Sequence, residues 1–146
     1  MVSKIVSNLA LASGRWERIV FGISDHTDNA NGDPFAGYTG RKKSYVAAPV
    51  DNFLDILFQP WKNIINDAAE SYLWLFCCGA IINNQDSFSR LKASVVCHQL
   101  SAAIAFNAPR FQPSFTAHLL LAFAEHVLIE CFPIQKAFPH MLGQSY

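Results

Sequence analysis

Apolar positions recur at helical intervals through most of this chain. Between residues 3 and 23, Ile5, Val6, Leu9, Ala12, Trp16, Ile19, Val20 and Ile23 fall at steps of three and four. That spacing predicts one helix, or two short ones divided at Gly14, with Val20–Ile23 as an alternative short strand. Asp51 is placed to cap a short helix over 52–59. Pro60 then suits the first turn of a second helix running to about Ile82. In its first half Ile64, Ile65, Ala68, Ala69 and Tyr72 share one face, opposite Lys62, Asn63, Asn66, Asp67 and Glu70. In its second half Trp74, Cys77 and Ile81 occupy the formerly polar line, as in a helix that enters a core.

Further on, Ser87 is placed to cap a helix over 88–106, which Asn107-Ala108-Pro109 would end. Ser114 and Pro133 bracket a last helix over 115–132, and the apolar tail 134–146 is expected to drape over the rest. Residues 24–49 break the periodicity with glycines, prolines and repeated Asp and Asn, the signature of a long polar loop. The pattern therefore predicts an all-α fold. It is a compact bundle of about four to five helices in a single domain, 1–146, with one long polar loop at about 24–49 and an apolar C-terminal tail.

Composition adds a shortage of charge. Hydrophobic residues make up 51% of the chain and charged residues 15%, against about 25% in ordinary globular proteins. From Ser71 onward only Asp86, Arg90, Lys92, Arg110, Glu125, Glu130 and Lys136 carry charge. The same stretch holds Phe76, Phe88, Phe106, Phe111, Phe115, Phe123, Phe132 and Phe138. Such a composition predicts apolar faces covered by partners. The expected role is a non-catalytic structural or protein–protein interaction subunit, either an oligomer of itself or part of a larger assembly.

A formal net charge of +0 gives no broad field for duplex nucleic acid or an anionic membrane. The expected partner is accordingly a protein or a second copy, with no nucleic acid and no transmembrane segment, and peripheral membrane contact left open. The longest uncharged apolar run, Tyr72 to Ile82, is short of the roughly 20 residues that span a bilayer. Cys77, Cys78, Cys97 and Cys131 match no zinc or CxxC spacing and read as buried reduced thiols, which fits a cytoplasmic setting. Lys4, Arg15 and Arg18 among serines, with no acid before Glu17, give mitochondrial targeting as the alternative.

Candidate chemistry falls in two places. Within 24–49, Asp25, His26 and Asp28 supply oxygen and nitrogen donors, and Arg41-Lys42-Lys43 is the one basic run; together they mark the expected recognition element. Gly32 and Gly37 have P-loop spacing, but Tyr38 stands where the phosphate-binding lysine belongs. Thr27-Asn29-Asn31-Gly32 imitates a calcium loop but ends on Tyr38 instead of the bidentate acid. On the last helix, His118, Glu125, His126 and Glu130 form a polar stripe. It reads as a wet face, with a metal-dependent or Cys/His enzyme (Cys97 beside His118 or His126) as one alternative. A carrier of an apolar ligand in a Phe-lined bundle is the other. No cofactor is called for.

Overall fold

The computed structural model describes Val6, Leu9 and residues 16–143, with the backbone alone at Phe115. It corrects the all-α, helical-bundle expectation: 49% of it is helical and 22% strand. Three strands, β1 (Arg18–Ser24), β4 (Glu70–Phe76) and β5 (Ala102–Ala105), form a parallel sheet in the order β1-β4-β5. A separate antiparallel pair, β2 (Phe35–Thr39) and β3 (Ser44–Ala47), makes a hairpin. The helices are α1 (Val50–Phe58), α2 (Lys62–Asp67), α3 (Ala80–Asn83), α4 (Gln85–Cys97), α5 (Pro113–Phe123) and α6 (Ile134–Gly143). A 3-10 turn joins α1 to α2, and a π-helical turn, Ala124–Ile129, extends α5. The chain divides into two compact units, 1–111 and 112–146.

In the first unit the correction centres on β4. The run expected to finish a helix from Pro60 to Ile82 is instead the central strand, and α2 stops at Asp67. Tyr72, Leu73, Trp74 and Leu75 are all buried because the strand has a neighbour on each edge and a covered surface on each face. An apolar run of that kind carries no period, so spacing alone does not separate it from a buried helix. Leu73 and Leu75 pack with Phe21 and Ile23 of β1 and Ala103 and Ala105 of β5. Val50, Leu54 and Phe58 of α1 and Leu91 of α4 cover that face of the sheet. On the other face Trp74 stacks near Phe76 and Phe106, with ring centroids 5.7 and 6.2 Å away.

The helix expected over 88–106 ends at Cys97, and its last part is β5. His98 closes α4, and Gln99 follows in the left-handed conformation at φ 54°. Leu100 N–H donates to Val95 O at 2.9 Å and Gln99 N–H to Val96 O at 3.1 Å, a Schellman ending that turns the chain into the sheet. His98 Nε2 lies 2.9 Å from Asp55 Oδ1, which ties this end to α1. Asn84, not Ser87, caps α4: its side-chain oxygen accepts from Asp86 N–H and Ser87 N–H. Pro49, not Asp51, precedes α1, and Asp51 lies in the first turn, paired with Arg90.

The expected long loop, 24–49, is in large part the β2–β3 hairpin, turned through Gly40 and Lys43 at positive φ. Of the expected N-terminal helix, Val6 and Leu9 are helical, while Arg18–Ser24 is strand β1. The remainder of that expectation, with the leader segment, lies outside the described residues.

In the second unit α5 starts from Pro113 without a side-chain cap, so Ser114 is not the cap. The tail from Ile134 is a helix through Gly143 that contains Pro139, not a draped segment. No described helix is long and apolar enough to cross a membrane.

Candidate functional site

A parallel sheet leaves a crevice beyond the carboxyl ends of its strands, where connecting loops diverge. Here that crevice is an open cleft of about 530 Å³, lined by residues that follow all three strands. Asp25, His26, Thr27 and Asn29 come after β1, Cys78 after β4, and Pro109, Arg110 and Phe111 after β5. A second lobe of about 310 Å³ shares Asn29, Cys78 and Pro109 with the first and continues to Asn83 and Asn84. Cys78 therefore stands where the two lobes join.

Strand register explains why these residues line one cleft. Ser24 and Phe76 are paired at the ends of β1 and β4. His26 and Cys78 each lie two residues beyond that pair, on chains that leave the sheet as immediate neighbours. Cys77 and Cys78 follow the end of β4, where the chain bends out of the sheet, and their environments part there. Cys77 turns into the core with Val50, Leu54 and Leu75, whereas Cys78 is half-buried in the cleft. The environments differ accordingly. Burial first, then the neighbouring Cys78 and Asp25, push the Cys77 thiol up to about 12, which keeps it protonated and inert near neutrality. The Cys78 Sγ lies 2.7 Å from Thr27 Oγ1, a hydrogen bond that fixes the thiol against the β1 loop.

The loops are held by close backbone approaches. Gly79 N–H donates to Ala108 O at 2.6 Å, and a side chain at Gly79 would stand 2.8 Å from Ala108 N. Gly32, at φ 77°, lies against the first turn of α3, and Asn31 O accepts the Ser87 hydroxyl. The Phe76 ring, 5.8 Å from Phe111, gives the cleft an apolar wall, and exposed Arg110 is a cation on its lining. Arg110 is charged and makes no ion pair or hydrogen bond among the described residues.

Of the residues singled out from sequence, Asp25 and His26 belong to this cleft. Asp28 does not line it: its Oδ1 accepts from Ala30 N–H at 2.7 Å and braces its own turn. Asp33 likewise accepts from Asn31 Nδ2 at 2.9 Å. Among the described residues no three His, Cys, Asp or Glu side chains converge to hold a metal ion. Arg41, Lys42 and Lys43 sit on the turn of the hairpin.

The stripe on the last helix is only partly assembled. His126 Nδ1 lies 2.6 Å from Glu130 Oε2, while His118 and Glu125 are both exposed. The stripe assumed a uniform α-helix, but Glu130 N–H donates to Glu125 O, an i→i+5 bond of the π-helical turn that changes the angular spacing. The cysteines are also not uniformly buried, since Cys97 and Cys131 are exposed. In the sequence Cys78 reads as one of four buried thiols, because a helix over 60–82 places it mid-element. The signal was available as two apolar β-rich runs, each followed at once by reactive residues, Ser-Asp-His-Thr and Cys-Cys-Gly.

No family model, no curated protein and no solved structure matches this chain.

Proposed function

We propose that this chain is a thiol-dependent hydrolase in which Cys78 is the nucleophile and His26 its general base. The observation that carries this reading is the pairing of Ser24 with Phe76, which sends His26 and Cys78 off adjacent parallel strands into one cleft. In the reaction, His26 takes the Cys78 proton and the thiolate adds to the carbonyl carbon of an ester, thioester or amide. The imidazolium returns that proton to the leaving group as its bond to carbon breaks. Water, giving its proton to His26, then cleaves the acyl-thioester and restores the thiol. Thr27 positions the sulfur, the two lobes accept the substrate on either side of it, and Arg110 provides a counter-charge for an anionic substrate group. Such chemistry needs a reduced thiol, which agrees with a cytoplasmic setting.

Hydrolysis of a panel of p-nitrophenyl esters and peptidyl-coumarin amides tests this reading. Turnover is expected to fall about 100-fold or more in Cys78→Ala and in His26→Ala, in line with the 10²–10⁴ range for a general base, and to survive Cys97→Ala. Iodoacetamide labelling mapped by mass spectrometry should slow at Cys78 when His26 is replaced, with Cys77 unlabelled at pH 8 until the protein is unfolded. An inactive panel together with Cys78 labelling that ignores His26 would rule the reading out.

A second reading, the interaction subunit, is favoured by the unit 112–146. Leu121, Ile129 and Phe132 are 67, 77 and 52% exposed there. Glu125, Glu130 and Lys136 are that unit's only Asp, Glu, Lys or Arg residues. The partner would be a protein or a second copy of the chain. Light scattering at micromolar concentration should show a particle larger than 16.2 kDa. A monodisperse monomer that captures no partner removes this reading and leaves the cleft untouched.

A further inference from the structure

The β2–β3 hairpin combines three features that no packing role within the fold explains. Its two strands form a sheet of their own, and all four residues of β3 are exposed. Isolated hairpins are only marginally stable, so this one depends on its root, where Phe35 N–H donates to His26 O and Ala48 N–H to Pro34 O. Next, Phe35, Tyr38 and Tyr45 pack together, with ring centroids 4.8 to 5.2 Å apart. Tyr38 and Tyr45 are a directly paired couple in the register, and they are 57 and 72% exposed. Lastly, Arg41, Lys42 and Lys43 crown the turn, and no acidic residue occurs between Asp33 and Asp51. All three cations are exposed and form no ion pair among the described residues.

We infer that this hairpin binds single-stranded nucleic acid, with bases stacked on Tyr38 and Tyr45 and phosphates at the Arg41-Lys42-Lys43 turn. Exposed aromatic rings beside clustered cations match the two demands of an unpaired strand, π faces for bases and positive charge for the backbone. A duplex keeps its bases stacked internally and offers the rings nothing. An anionic membrane fits less well, because a loop that enters a bilayer leads with its apolar side chains, whereas here the cations stand at the tip and the rings lie behind them. The zero net charge of the whole chain confines the attraction to this local patch and predicts binding that salt readily weakens.

Fluorescence anisotropy with labelled dT12 and U12 oligonucleotides on the full chain tests the inference. Binding should be measurable at 50 mM salt. The Arg41→Ala/Lys42→Ala/Lys43→Ala variant should lower the slope of log affinity against log salt by about 2, since each phosphate contact on a single strand contributes about 0.7. Tyr45→Ala should weaken binding roughly five- to hundred-fold with little change in that slope. These side chains are exposed, so the variants should melt like the parent protein. DNA and RNA arms of equal affinity would mean that stacking and phosphate contacts carry the binding. No oligonucleotide binding at 50 mM salt, or binding that ignores all four substitutions, overturns the inference. Retention on phosphatidylserine vesicles without oligonucleotide binding also overturns it and assigns the hairpin to a membrane.

Discussion

Trp74→Ala should cost about 3–5 kcal/mol of stability, the range for removing a large aromatic from a packed interior. Trp74 is fully buried in the central strand, opposite Gly22 on one neighbour and Ile104 on the other. Its ring stacks near Phe76 and Phe106, so the truncation leaves a cavity and unseats two further aromatic contacts. Domains are commonly stable by only about 5–15 kcal/mol, so this one change removes a large share. A urea titration should show the midpoint falling by at least about 1 M at an unchanged slope. Val20→Ala on the edge strand, where the side chain is 38% exposed, is the comparison and should cost about 1 kcal/mol or less. Should the alanine variant not fold, Trp74→Phe keeps the test available with a smaller loss. Equal losses at Val20 and Trp74 would contradict a central, doubly covered β4.

β4 is hard to read from the sequence for a physical reason. Of the face expected on a helix from Pro60 to Ile82, Ile64 and Ile65 are buried in α2, which ends at Asp67 with Ala68 already extended. Extending it through Tyr72-Leu73-Trp74-Leu75-Phe76 relied on apolarity alone, and a strand buried on both faces is apolar for the same reason a core helix is. The aromatic and large aliphatic content of that run favoured strand. A similar misreading joined α4 to β5, since small apolar residues at 102–105 suit a narrow strand as well as a helix face. In the hairpin, Tyr38-Thr39 and Ser44-Tyr45-Val46 around a glycine-containing turn were a readable β signal that loop composition outweighed.

Legibility of the site followed from legibility of the sheet. Asp25 and His26 stood out because they open a polar stretch, and that much survives in the cleft. Cys78 could be valued only once Cys77 and Cys78 were known to follow the end of β4, where the chain bends out of the sheet. No local pattern then distinguishes the buried thiol from the open one; the difference lies in what α1 and α3 place beneath Cys77. His26 and Cys78 stand far apart along the chain and come to one cleft only through parallel pairing of β1 with β4. On the last helix the spacing of four brings His126 to Glu130, while the π-helical turn over Ala124–Ile129 alters the angular spacing on which the longer stripe from His118 relies.

Gly32→Ala is expected to destabilise the protein by about 2–4 kcal/mol, through two separable terms. At φ 77° a non-glycine residue pays a steric cost of roughly 1–2 kcal/mol. The added Cβ would also stand 2.7 Å from the carbonyl carbon and oxygen of Ala80 and the nitrogen of Ile81. Those are backbone atoms, so no rotamer change relieves the overlap, and the 28–33 turn must lift from α3. That movement would strain the Ser87 hydroxyl bond to Asn31 O and shift Asn29, which lines both lobes of the cleft. Gly40→Ala separates the terms, because Gly40 has a similar φ of 70° but nothing within 4 Å of an added Cβ. It should cost about 1–2 kcal/mol and leave Cys78 labelling as in the parent protein. The excess loss at Gly32 then measures the close approach alone, and altered Cys78 labelling in that variant ties the approach to the cleft. Matching losses at the two glycines would mean that the 28–33 turn does not rest on α3, and that the wall of the cleft is held by something else.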